Sequence, residues 1–194
     1  MEKTIKTSNN SIKESNDKNH WYIAIVPVRH ERRIDKILKG MGYESYVASQ
    51  MEMKVLANKK KKEVERIVIS SRIFIRVSET ERLKLLKTNI VKRFVTDKAC
   101  VPDRLGRHPV AVVPDKQMEL LQFMLFNADS AVTFSDMPVH KGSPVKVIRG
   151  CMKGLEGIAN EDSEGKTRIH IQLDICSNAS VIIDTDSIEP INKQ

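Results

Sequence analysis

Five of the chain's eight glycines, Gly142, Gly150, Gly154, Gly157 and Gly165, fall between positions 142 and 165, in a Val- and Ile-rich stretch that contains VKVIRGCMKGLEGIA. Glycines gathered this way either cradle a phosphate or turn tight corners in a small sheet. A Walker loop needs G-x-x-x-x-G-K-[ST] between a strand and a helix, so that its Lys reaches phosphate and its hydroxyl holds Mg²⁺. Gly150-Cys-Met-Lys-Gly154 has the wrong spacing and no GK[ST]. The dinucleotide fingerprint G-x-G-x-x-G also fails, because no glycine lies two residues before Gly154. The residues after Gly157 are strand-like, so no helix N-terminus waits for an anion. Turn and bulge glycines, which permit positive φ and close backbone approach, fit the cluster better.

Other reactive constellations are missing. The histidines at 20, 30, 108, 140 and 170 form no H-x-x-x-H pair, and no serine sits in a G-x-S-x-G elbow. Asp and Glu are scattered. Cys100, Cys151 and Cys176 are odd in number and lack metal-ligand spacing, which reads as reduced thiols in a cytoplasmic protein. The expectation is a protein that is not an enzyme and carries no metal or cofactor.

Charge is more informative. Residues 21–128 carry a net +10, whereas residues 129–194 carry a net −3, within a chain of 194 residues and net +8. Such asymmetry suggests two domains with different partners, the basic one suited to nucleic acid or to a machine that bears it. No run approaches the roughly 18 apolar residues of a membrane span, and the polar start, residues 1–20, lacks a signal-peptide core and reads as a disordered tail.

Elements must position these groups. WYIAIVP, residues 21–27, reads as a buried strand. Ile34, Ile37, Leu38 and Met41 form one helical stripe, with Gly40 and Gly42 at its end. YESYVASQ is a second strand. MEMKVLANKKKKEVERIVI reads as a hairpin, with Met51, Met53 and Val55 alternating on the way out and NKKKK, residues 58–62, at the tip. SSRIFIRV, residues 70–77, is a strand with Ile73, Ile75 and Val77 on one face and Arg72 and Phe74 on the other. SETERLKLLKTN is a helix capped by Ser78 or Thr80. Two short strands, VKRFV and PVAVV, precede a third helix that starts at Pro114 and Asp115 and packs Met118, Leu121 and Leu125. The order predicts an α+β domain over 21–128, an antiparallel sheet flanked by helices. Residues 129–140 lack periodicity and read as a linker. From 141 to 194, five short extended segments predict an all-β, SH3-like barrel.

Residues 141–190 resemble a KOW domain. The signature G-x-x-V-x-V-x-x-G-x-x-x-G-x-x-G runs from Gly142 to Gly157, with Gly142, Gly150, Gly154 and Gly157 as its structural glycines, and is followed by an alternating strand and a closing IEPI. Residues 21–128 resemble the NusG N-terminal domain, which also opens with Trp-Tyr, runs into a helix, carries a hairpin and ends in a helix. One departure stands out. NusG proteins usually carry Phe-Pro-Gly-Tyr before the central strand, where this chain reads Ile69-Ser70-Ser71-Arg72. That loss is similar to specialised NusG-like antiterminators of bacterial capsule and surface-polysaccharide loci.

The resemblance implies an N-terminal domain that binds the clamp helices of RNA polymerase through an apolar sheet face and favours the pause-resistant state. Trp21 and Tyr22, which match the opening pair, and Arg72 and Phe74, which match the central strand, are the residues the resemblance assigns to polymerase contact. Arg72 and Phe74 are the expected clamp contacts, and at least one of Trp21 and Tyr22 should be buried. Lys59, Lys60, Lys61 and Lys62 match a hairpin tip that lies near upstream DNA, and Arg29, His30, Arg32 and Arg33 match a helix start that meets the non-template strand. The expected function is an operon-specific elongation and antitermination factor, a cytoplasmic monomer with no membrane partner; its KOW partner is left open by the sequence, with Rho and a ribosomal protein as the candidates. Two alternatives stay open: a general NusG-type factor, and a ribosomal or RNA-binding KOW protein. The −3 of the C-terminal region weighs against rRNA binding there.

Overall fold

The computed structural model of the chain describes residues 18–55, 59–135, 142–161, 167–173, 177–183 and 185–191. Residues 1–17 of the expected tail, 136–140 of the expected linker, Asn58, Gly165 and Cys176 lie outside the described residues. Among the described residues no helix is long and apolar enough to cross a membrane.

β1 (His20–Ile25) is a short apolar run with Trp21, Tyr22, Ile23 and Ala24 all buried. Such a run suits a central strand covered on both faces. α1 (Glu31–Gly40), β2 (Glu44–Tyr46), β3 (Ser49–Val55) and β4 (Lys61–Ile67) come next. After them are β5 (Arg72–Val77), α2 (Glu79–Lys87), β6 (Arg93–Phe94), β7 (Val112–Val113) and α3 (Asp115–Asn127). The sheet runs β2-β5-β1-β6, and β7 also pairs with β1, every pairing antiparallel. β3 and β4 form a separate two-stranded ribbon.

The alternation of β1 and β5 divides the interior. Trp21, Ile23 and Phe74 pack with Met118, Leu121, Met124 and Leu125 of α3. Tyr22, Ala24, Ile73, Ile75 and Val77 pack with Ile34 and Leu38 of α1 and Leu85 of α2. Only part of the α1 stripe is covered, since Ile37 and Met41 are exposed, while Glu31 and Asp35 are buried beside Ile34 and Leu38. Glu31 Oε1 accepts the Ser71 N–H at 2.7 Å, while its Oε2 is buried without a partner among the described residues, and Asp35 Oδ1 accepts the Ser45 hydroxyl at 2.7 Å. α2 opens with a capping box. Ser78 Oγ accepts the Glu81 N–H, and the Glu81 carboxylate accepts the Ser78 N–H.

The C-terminal strands are β8 (Thr133–Ser135), β9 (Ser143–Val147), β10 (Glu156–Glu161), β11 (Thr167–Leu173), β12 (Ser177–Ile182) and β13 (Ile188–Pro190). They make one six-stranded antiparallel sheet in the order β13-β9-β10-β11-β12-β8. The five segments expected from sequence are all present. β8 is an addition: it lies in the stretch read as a linker and pairs with β12, Phe134 opposite Ala179. Its short length hid it from any periodicity. Val132, Val145, Val147, Leu155, Ile169 and Val181 are buried and continue the α3-side cluster into this sheet.

Candidate functional site

The β3–β4 ribbon is held at its base by polar contacts. Arg32 of α1 forms an ion pair with Glu65 of β4 and donates to Ser49 Oγ at 2.5 Å, and the Ser49 hydroxyl donates to Glu65 Oε1 at 2.7 Å. Gln50, buried, donates through Nε2 to the carbonyls of Ala128 (3.1 Å) and Ser130 (2.8 Å) and accepts the Val132 N–H at 2.9 Å. Arg66 pairs with Glu52 and donates to the Val132 carbonyl at 3.2 Å. The ribbon is thereby fixed to α1 on one side and to the segment leaving α3 on the other.

Between this ribbon and the end of α3 lies an open groove of about 690 Å³. Tyr46, Met51, Leu125 and Phe126 supply its apolar wall, and Glu63, Glu65 and Gln122 its polar rim. Phe126 is 90% exposed and Met51 54%. An exposed ring beside an exposed thioether, rimmed by charge, is the anatomy of a surface that meets another macromolecule. Burial pushes the Tyr46 phenol up to about 12, a rise that nearby Arg32 partly opposes.

Three of the four residues assigned to polymerase contact are interior. Trp21, Tyr22 and Phe74 are buried, Phe74 completely, because α3 covers one face of the sheet and α1 with α2 the other. Tyr22 stacks edge-on with Phe94, and Arg82 lies over both rings at 5.7 and 5.3 Å. Glu79 grips that guanidinium through two hydrogen bonds, 2.7 and 2.5 Å, and these raise the Arg82 pKa. Arg72, at the start of β5, is half-buried. The exposed rings that sequence reasoning passed over are Phe123 and Phe126 of α3. Their types were visible; their exposure follows from their place off the Met118, Leu121, Met124 and Leu125 face that α3 buries.

The basic residues fall into two groups. Arg29 takes φ +65° in the turn before α1, with His30 as N-cap and Arg33 exposed on the first turn. Arg32 is set apart from them by its commitment to Glu65 and Ser49. In register, Ile25 lies between Arg72 on β5 and Arg93 on β6, which adds Arg93 to the cations at this end of the sheet. Pairing across strands is not readable in a linear pattern, so Arg93 had no signal. At the ribbon tip, Lys59 and Lys60 precede β4 and Lys61 and Lys62 begin it, all exposed. Lys62 stands opposite Lys54 and Lys61 opposite Val55, so the tip lysines are shared between the two faces.

The C-terminal glycines divide by cause. Gly150 and Gly154 have φ of +77° and +94° and open space around a would-be Cβ. Gly142 and Gly157 are tight: a Cβ at Gly157 would lie 2.6 Å from the His170 carbonyl oxygen, and one at Gly142 2.4 Å from that of Ala159. Both roles expected of turn and close-approach glycines are present. Cys151 donates to Asp129 at 3.0 Å and Cys100 to Asp97 at 3.1 Å, and these hydrogen bonds raise both thiol pKa values. Among the described residues no group of three or more His, Cys, Asp or Glu is placed to hold a metal.

A family model described as "Transcription termination factor nusG" matches residues 19–122. No curated protein matches the sequence. Among solved structures, the chain is similar to one described as "Domain interaction in Thermotoga maritima NusG", at 15% identity and a TM-score of 0.44, covering 90% of this chain and 98% of that one. It is also similar to a chain of an MjSpt4:Spt5 complex, at 12% identity and a TM-score of 0.29, covering 89% and 97%.

Proposed function

The chain belongs to the NusG family of transcription factors, and on that premise we propose that it is an elongation factor that docks on RNA polymerase through the groove between β3–β4 and α3. The observation that carries this reading is Phe126, a ring 90% exposed at the mouth of a groove of about 690 Å³. The clamp helices expected from the resemblance supply the ridge of apolar side chains that such a groove takes. Trp21 and Phe74 then act from beneath α3 as supporting core, and Tyr22 packs the other face of the sheet against α1 and α2. The exposed Arg29, His30 and Arg33, with Arg72 and Arg93 at the adjoining sheet end, and Lys59, Lys60 and Lys62 at the ribbon tip, face nucleic acid of the elongation complex. Cations so placed add salt-dependent affinity for phosphate without reading sequence. Binding that favours the elongating conformer suppresses pausing by shifting its population.

The narrower reading is an operon-specific antiterminator of a surface-polysaccharide locus. It is supported by Ile69-Ser70-Ser71-Arg72 in place of Phe-Pro-Gly-Tyr. Ser71 holds φ +61° there, a conformation glycine adopts freely and serine uncommonly, and its N–H is tied to Glu31. The C-terminal sheet is read as a KOW domain that recruits a further partner. In vitro transcription by the cognate polymerase on a long leader with pauses tests the reading. Added protein should shorten pauses and raise read-through; unchanged profiles with and without it would overturn the proposal.

A further inference from the structure

Resting on that docking reading, we infer that the ribbon edge running from Glu63, at the groove, to Lys61 beyond it fixes the direction in which a helix lies there. The fitting partner is an amphipathic helix that sets a Lys or Arg against Glu63 and an Asp or Glu about one turn further along, against Lys61.

Register places the groups. Directly opposed residues of an antiparallel pair share a face, and the pairs here are Met51 with Glu65, Met53 with Glu63, and Val55 with Lys61. One face of the ribbon therefore carries two parallel rails. The apolar rail is Met51, Met53 and Val55, which are 54%, 63% and 66% exposed. The charged rail is Glu65, Glu63 and Lys61, and it changes sign along its length. Its first member is already neutralised, because Glu65 is bound by Arg32 and Ser49. Glu63 and Lys61 are exposed and form no ion pair among the described residues. They are the charges left to meet a partner.

The spacing suits a helix. Residues two apart on a strand are separated by roughly 6.8 Å, and positions i and i+4 of a helix by about 6 Å. A helix on the apolar rail with a cation at one position and a carboxylate four residues along matches both charges at once. Turned end for end, the same helix sets like charges together at both positions, and that penalty excludes the wrong direction. The apolar rail supplies attachment and the charged rail supplies polarity.

Core RNA polymerase of the cognate organism is the probe. It is titrated with the full-length chain and with E63K, K61E, the double variant E63K/K61E, and Phe126→Ser, all four at exposed positions. Each single reversal should weaken binding roughly five- to tenfold at low salt, with the difference shrinking as salt screens it. The double variant, whose rail runs in the opposite order, should bind no better than the singles. A polymerase with the two facing charges of its docking helix exchanged should bind the double variant and reject the unchanged chain. Wild-type affinity for both single variants at low salt would overturn the inference. If Phe126→Ser still abolishes binding in that case, the groove stands and only the charged rail falls. If the unchanged chain does not bind polymerase at all, the docking reading falls first.

Discussion

Gln50 and Val132, 82 positions apart, are joined by a buried hydrogen bond of 2.9 Å from the Val132 N–H to Gln50 Oε1. The same amide donates to the carbonyls of Ala128 and Ser130. One side chain thus replaces the neighbouring strand that the segment leaving α3 lacks. Gln50→Ala should cost about 2 kcal/mol, since it strands a buried N–H that no water reaches easily. Urea unfolding would measure it, and hydrogen exchange at Val132 should accelerate in the variant.

Phe126 and Phe74 make a matched pair of opposite environments, 90% and 0% exposed. Phe126→Ser should leave stability within about 0.5 kcal/mol, as exposed substitutions do, yet reduce polymerase affinity at least roughly tenfold, as removal of an aromatic anchor does. Phe74→Ala should destabilise by about 3–5 kcal/mol through reduced burial and a cavity. Thermal melts and a binding titration on both variants separate the docking surface from its support.

Tyr46 gives the fold an alkaline limit. Its phenol is raised from 10.0 to about 12 by burial. The folded state therefore keeps a proton that the unfolded chain releases above pH 10.0. The associated stability is fully present below that pH and is lost as pH rises toward about 12. Urea midpoints measured across this window should fall less steeply for Tyr46→Phe than for the unchanged protein.

The two kinds of glycine predict opposite tolerance. Gly150→Asn should be mild, because Asn visits the left-handed region and the space is open. Gly157→Ala should cost about 2 kcal/mol through overpacking, because its Cβ would meet the His170 carbonyl and Ile169 Cγ2, both at 2.6 Å, and force β10 from β11. Denaturant unfolding of the full chain should rank the two in that order.

Lys59, Lys60 and Lys62 changed together to Ala should lower binding to an elongation complex at low salt and flatten its salt dependence. The slope should shrink by up to about 0.9 for each phosphate no longer neutralised. An unaltered slope would remove DNA from the ribbon tip.

Much of this architecture is legible in the residues. Ser78 as a cap, Pro114 and Asp115 at the head of α3, and the five C-terminal strands arise from local chemistry that the fold does not override. The alternation of Met51, Met53 and Val55 announces a strand, but not that its apolar side faces solvent, because alternation distinguishes two faces without saying which is covered. Glu31 and Asp35 look like surface charges of α1; the arrival of Ser71 and Ser45 from elsewhere, together with Lys39 one turn along beside Asp35, makes their burial tolerable. Phe126 is apolar by type, yet it lies off the buried face of α3 and stays exposed beside the groove. What escapes the sequence in each case is a contact with a residue distant along the chain.

The connection between the two halves has a mechanical consequence. Residues 128–132 are gripped by Gln50 and Arg66, and residues 133–135 are stitched to β12. The described part of this connection is thus a strut rather than a leash. A partner held by the C-terminal sheet in this arrangement is presented along a set bearing from the groove. Its local concentration near whatever the groove binds would then depend on aim rather than on tether length.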